Sequence, residues 1–138
     1  MKIFEITTID HTDDDEKFFN ERILQWYQRD SKRYNLKNIS THNGISIKAS
    51  HWPPQFHSFV YFIDDDQPIG MAIIHQLSGP NTDTPEKPIS HKVSMIFIKQ
   101  KYRRRGLGRH FYNLLKSETL LLPDESQTLS AQSLWKSL

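Results

Sequence analysis

Between Lys99 and Arg109 the chain carries six basic residues, no acidic one, and two glycines, Gly106 and Gly108. What such a loop can do depends on what flanks it. The run Val93 to Ile98 is β-branched and aromatic enough for a buried strand, and it ends where the loop begins. Beyond the loop, Leu107, Phe111, Leu114 and Leu115 fall at i, i+4, i+7 and i+8, one face of a helix. A strand feeding a glycine-containing loop that opens a helix aims several backbone N–H groups, and the positive end of the helix, at one point. That arrangement suits a phosphate or pyrophosphate, and glycines without a Cβ let it approach the backbone closely. Two other phosphate-binding loops fail on spacing. A P-loop requires Gly-Lys-Ser or Gly-Lys-Thr after its glycines, and a dinucleotide-binding loop requires a third glycine where Phe111 stands.

The hexapeptide Arg103-Arg104-Arg105-Gly106-Leu107-Gly108 resembles the acyl-coenzyme A loop of the GNAT family of N-acetyltransferases. In that family a Gln or Arg is followed by two free positions, Gly, one free position, then Gly or Ala. Tyr102 before the motif, the Ile96-Phe97-Ile98 strand end, and Pro68-Ile69-Gly70-Met71-Ala72, similar to the family's third strand, extend the likeness. The resemblance implies an α+β fold, an α/β/α sandwich in which a mixed, mostly antiparallel sheet carries helices on both faces. It implies an acetyl-CoA-dependent N-acyltransferase that moves an acetyl group from the coenzyme thioester to an amine, with acetyl-CoA as the donor and no metal. The pantetheine arm would lie along the backbone of Ile96, Phe97 and Ile98. The pyrophosphate would sit on the loop formed by Arg103, Arg104, Arg105, Gly106, Leu107, Gly108 and Arg109, where a guanidinium can add a bidentate contact.

Acetyl transfer also needs a neutral amine and a donor that helps the thiolate leave. Family members often place a carboxylate or histidine on the fourth strand, but the corresponding stretch here is Ser90-His91-Lys92-Val93-Ser94. His91 and His75 are the two candidate bases, since an imidazole titrates near neutral pH. Strand alternation sets His91 on the face opposite Lys92 and Ser94, the positions at which relatives carry such groups. The tyrosine that often protonates the thiolate is replaced by Trp135, and an indole N–H is a far poorer acid than a phenol. Tyr112 falls on the central helix, where packing is its expected role.

The elements that must position these groups follow in order. Lys2 to Ile9 alternates as a strand, and Thr12 to Glu16 marks a helix start with carboxylates near its positive end. Phe19, Ile23, Trp26, Tyr27 and Tyr34 give the following helix one packing face. Residues 35 to 57 are expected to be loop around a short strand Ile45 to Ala49. Phe59 to Ile63 and Ile69 to His75, joined by Asp64-Asp65-Asp66-Gln67-Pro68, should pair as an antiparallel hairpin. Leu77 to Pro88 is a loop, Thr119 to Leu122 a short strand, and Leu129 to Leu138 a final helix.

The 138 residues fit one domain around a single core. Relatives usually add two strands beyond the last helix, so the chain is expected to be an abbreviated member that pairs with a second copy through its exposed sheet edge, or a piece of a longer protein. The absence of cysteine excludes a disulfide scaffold, a thiolate zinc site and a cysteine nucleophile. No signal peptide and no membrane-length apolar run is visible, so a cytoplasmic protein without membrane contact is expected. The formal net charge is only +2, which leaves the basic loop as a local patch for a polyanion. Coenzyme A is a small one and nucleic acid a large one. The alternatives to the enzyme are therefore a non-catalytic acyl-CoA-binding or regulatory module and, with less support, a nucleic-acid binder, which would show interleaved exposed aromatics. The acceptor, a small molecule or a protein, is not specified by the sequence.

Overall fold

The computed structural model describes residues 17, 19–80 and 82–123. The expected strand at Lys2–Ile9, the helix start at Thr12–Glu16, the final helix at Leu129–Leu138 and Trp135 lie outside the described residues. A π-helical turn, Phe19–Ile23, leads into helix α1, Leu24–Arg33. Strands β1 (Lys37–His42), β2 (Ile45–Ala49), β3 (His57–Asp64), β4 (Gln67–Ser78) and β5 (Ser90–Ile98) follow, then helix α2 (Leu107–Glu118) and the two-residue strand β6 (Leu120–Leu121). They form one six-stranded sheet in chain order, antiparallel throughout except for the parallel pair β5–β6. A parallel neighbour needs a crossover, and α2 supplies it.

Alternation along the strands divides the core into two layers. Val60 and Phe62, Ala72 and Ile74, Val93, Ile96 and Ile98 face α2, where Leu107, Phe111 and Leu115 complete a cluster with Ile45 and Ile47. Tyr61, Ile63, Met71, Ile73, Met95 and Phe97 face the other way, against Phe19 and Ile23, with Trp26 and Tyr27 of α1 packed alongside. Helices thus cover both faces of a mostly antiparallel sheet, as the resemblance implies.

Residues 35–57 correct the sequence reading. Lys37–His42 is not loop but a strand at the edge of the sheet among the described residues, turned into β2 through Asn43 (φ 48°) and Gly44 (φ 82°). Two consecutive left-handed residues make the turn that matches strand twist in a tight hairpin. Ile39 is the only aliphatic side chain in β1, so no apolar alternation marks the strand. The expected hairpin of β3 and β4 forms on a second turn with both central residues left-handed, Asp65 (φ 49°) and Asp66 (φ 64°). Gly70 on β4 is required by space: a Cβ there would stand 2.3 Å from the carbonyl oxygen of Phe97.

Candidate active site

The loop from β5 to α2 is folded by its own residues. At its start the Lys99 amide bonds to the Ile69 carbonyl (2.9 Å), and a 3-10 turn over Gln100–Tyr102 follows. Arg103 then turns inward: its side chain is buried, Nε donates to the Ile98 carbonyl (2.6 Å), and the guanidinium faces the Phe97 ring at 5.6 Å. It ties the loop to the strand end. Tyr102 donates to Asp64 Oδ2 (2.6 Å), and this bond raises the phenol above its ordinary range. Arg104 (φ 61°) and Gly106 (φ 80°) both take left-handed backbone.

Gly106 is the N-cap of α2 and offers no side chain to cap it. The first helical bond runs from the His110 amide to the Gly106 carbonyl (2.9 Å), so the amides of Leu107, Gly108 and Arg109 precede the helical ladder. Of the loop's six basic residues, Lys101, Arg104, Arg105 and Arg109 are exposed, while Lys99 Nζ lies over the Phe19 ring at 4.2 Å and Arg103 is enclosed. Lys101 Nζ and the Arg105 guanidinium lie over the Tyr102 ring at 5.5 and 5.9 Å, so exposed cations and an uncapped helix start share one loop, an arrangement that suits an anion.

A second surface leads into the loop. Strand β6 pairs with β5 only at Ser90↔Leu120 and His91↔Leu121. The β5 edge from Val93 to Ile98 has no strand partner among the described residues, and Ile96, Phe97 and Ile98 run along it to the loop. An unpaired strand edge can take an extended ligand that carries amide groups, by the same ladder bonds that another strand would make.

A hairpin absent from the sequence reading supports the loop from the other side. His42, the last residue of β1, contacts the Arg105 carbonyl through Nε2 (3.1 Å), and its ring stacks on His110 at 4.6 Å and 27°. His110 in turn shares a hydrogen bond with Ser40 Oγ (2.8 Å). Burial, and then the neighbouring His42, push the His110 imidazole below its ordinary range. A cavity of ≈ 100 Å³ lies between His42, Asp64, Tyr102 and Leu107, well below ordinary ligand-pocket size.

The two candidate bases stand on opposite faces of the sheet. His91 shares its face with Val93, toward α2, and is 1% exposed. Its Nε2 donates to the Gln55 carbonyl (3.0 Å), and Nδ1 shares a hydrogen bond with Thr119 Oγ1 at 2.7 Å. The Thr119 hydroxyl also donates to the Ile89 carbonyl (2.9 Å). Burial lowers the His91 pKa, opposed by the Gln55 carbonyl. His91 thus ties β5, the end of α2 and the segment before β3 together. His75 lies toward α1, half-buried, with its ring 4.1 Å from that of His57 and with Lys92 opposite it on β5. Between Ile73↔Met95 and Ile74↔Val93 the β4–β5 ladder skips Ser94, a bulge one pair away from His75. Tyr112 is buried in the α2 cluster.

Two polar features escaped the sequence reading. Asp30 sits on the packing face of α1 at 0% exposure, accepting from the Tyr61 hydroxyl and from Arg29 Nε (2.8 Å). Burial and Asp30 raise the Tyr61 phenol far above its ordinary range. Its signal was the spacing Ile23, Trp26, Tyr27, Asp30, a carboxylate at i+7 on an apolar stripe. The His42–His110 stack had none, because its members lie 68 residues apart on elements joined only by the fold. Among the described residues no group of His, Asp and Glu could hold a metal ion, and no helix is long and apolar enough to cross a membrane.

A mixed, mostly antiparallel six-stranded sheet with helices is the fold of GNAT acetyltransferases. The chain belongs to the acetyltransferase (GNAT) family, whose model matches residues 11–120. Among solved structures, the aminoglycoside N-acetyltransferase AAC(6')-Iy in complex with CoA shares the fold at 12% identity and a TM-score of 0.51, over 88% of this chain and 84% of that one. A ribosomal-protein-alanine N-acetyltransferase from Brucella melitensis biovar Abortus 2308 is 16% identical over 60% of this chain, with a TM-score of 0.48. An aminoglycoside acetyltransferase from an uncultured soil metagenomic sample is 9% identical over 62%, with a TM-score of 0.47. This chain spans only 61% and 57% of those two proteins. No curated protein matches the sequence.

Proposed function

We propose that the protein binds acetyl-CoA along the β5 edge and the β5–α2 loop and transfers the acetyl group to an amine. The observation that carries this reading is the uncapped start of α2, led by left-handed Gly106 in a loop with exposed Lys101, Arg104, Arg105 and Arg109, after a strand edge that has no partner among the described residues. In this reading the pyrophosphate takes the amides from Arg104 to Arg109, and Arg103 acts from within by holding the loop to Ile98. The pantetheine arm pairs with the backbone of Ile96, Phe97 and Ile98. The thioester carbonyl lies near the bulge at Ser94, where the ladder leaves a residue out of register.

Of the two histidines, His75 is the better placed base. It is half-buried beside that bulge, whereas His91 is closed in by Gln55 and Thr119. If His75 takes the proton from the amine, His75→Gln removes one ionisation from the pH–rate profile. If ordered water takes it, the profile is unaltered. The acceptor is an amine on a small molecule or a protein.

The enclosure of His91 favours a second reading, an acyl-CoA-binding module without turnover. The experiment that separates the two is release of free coenzyme A thiol from acetyl-CoA in the presence of a panel of amines. The enzyme reading expects amine-dependent thiol release that disappears in Gly106→Val. Binding without release from any amine would favour the module.

A further inference from the structure

We infer that His42 is a positioning residue for the diphosphate, aiming the Gly106 amide by holding the Arg105 carbonyl; this rests on the coenzyme reading above. A carbonyl oxygen only accepts, so the 3.1 Å contact places the proton on His42 Nε2; the Asn43 side-chain amide, 3.4 Å from the same nitrogen, is the longer contact and must then turn its oxygen toward it. In a trans peptide the C=O and N–H point in opposite directions. With the Arg105 carbonyl fixed toward the β1–β2 hairpin, the Gly106 N–H points away from it, out of the loop. The Gly106 N–H so freed directly precedes the uncapped amides of α2, and Arg104 and Arg109 on either side of it are exposed.

The holding group is itself held. His42 stacks on His110 at 4.6 Å, and His110 is fixed at Nε2 by Ser40 Oγ (2.8 Å) and through its backbone amide to the Gly106 carbonyl (2.9 Å). Both carbonyls flanking the Gly106 α-carbon therefore have a partner, Arg105 through the His42 ring and Gly106 through the His110 amide. The glycine is confined to φ 80°, which L side chains rarely adopt. A Cβ on Gly106 would meet His42 Nε2 at 3.5 Å, an ordinary contact, so the hairpin holds the loop without crowding it. The loop motif alone does not fix the direction of this peptide plane.

The test compares His42→Phe, which keeps a ring to stack on His110 but has no N–H, with His42→Gln, which keeps a donor at a similar reach. Coenzyme A and pantetheine, which lacks the diphosphate, are titrated into each variant and the wild type. Loss of one hydrogen bond predicts coenzyme A affinity about tenfold weaker in His42→Phe and within about threefold of wild type in His42→Gln. Pantetheine affinity should be the same in all three. Equal coenzyme A affinity in wild type and His42→Phe, or equal weakening in both variants, overturns the inference, as does parallel weakening of pantetheine. In the wild type, inorganic pyrophosphate should shift the Gly106 amide resonance, a readout independent of how the variants fold; an unmoved Gly106 resonance in a protein whose neighbouring loop amides respond also overturns it. A wild type that binds no coenzyme A defeats the coenzyme reading instead, and the two failures are distinct.

Discussion

At the level of single residues, contacts that look alike in sequence separate sharply once their neighbours are known. Gly70 and Gly106 are both glycines of the family's pattern, yet one is needed for space and the other for conformation. Gly70→Ala would drive a methyl into the Phe97 carbonyl, so urea denaturation should show a loss of about 1–3 kcal/mol, the range for overpacked cores. The buried histidines give a pH dependence with a definite sign. His91 and His110 are both held below the ordinary value of 6.5, chiefly by burial. Each binds fewer protons folded than unfolded, so the stability they contribute is fully present above the unfolded value and is lost as pH falls through the folded one. The midpoint of thermal unfolding should therefore drop between pH 7 and pH 5. The drop should be shallower in His91→Gln, even though that variant starts less stable; an identical slope would show that His91 does not titrate in this window.

At the level of elements, legibility followed apolar pattern and local turn chemistry. β3, β4, β5 and α2 carry enough aliphatic and aromatic residues to mark their period, and the loop motif is contiguous, so all were readable. β1 was not, because a strand with Ile39 as its one aliphatic residue leaves no alternation to see. The bulge at Ser94 was invisible for a different reason: nothing in Val93-Ser94-Met95 departs from strand composition, and the skipped pair exists only against Ile73 and Ile74. The enclosure of His91 likewise depends on Gln55 and Thr119, which the fold and not the sequence brings to it. Turn chemistry yields a test. Asp66 holds φ 64° in a turn position where glycine is preferred, so Asp66→Gly should stabilise the protein by about 0.5–1 kcal/mol in chemical denaturation. A loss of stability there would mean that unfolded-chain entropy outweighs the relief of strain.

At the level of the whole molecule, the sheet delivers two surfaces to one place. Among the described residues the parallel pair β5–β6 ends after two residues, and the rest of the β5 edge runs to the β5–α2 loop, which Arg103 ties to β5 from within and the β1–β2 hairpin contacts through His42. In the proposed reading the strand edge and the cationic helix start follow one another in the order in which an acyl-CoA presents its pantetheine arm and its diphosphate. The most direct test is calorimetric titration of coenzyme A into the wild type and into Gly106→Val. A β-branched side chain at φ 80° strains the loop by about 1–2 kcal/mol and displaces the amides that would hold the diphosphate. The expected result is saturable one-to-one binding by the wild type and none by a Gly106→Val protein that still unfolds cooperatively. Equal affinity in the two proteins, or no binding by either, would contradict the assignment.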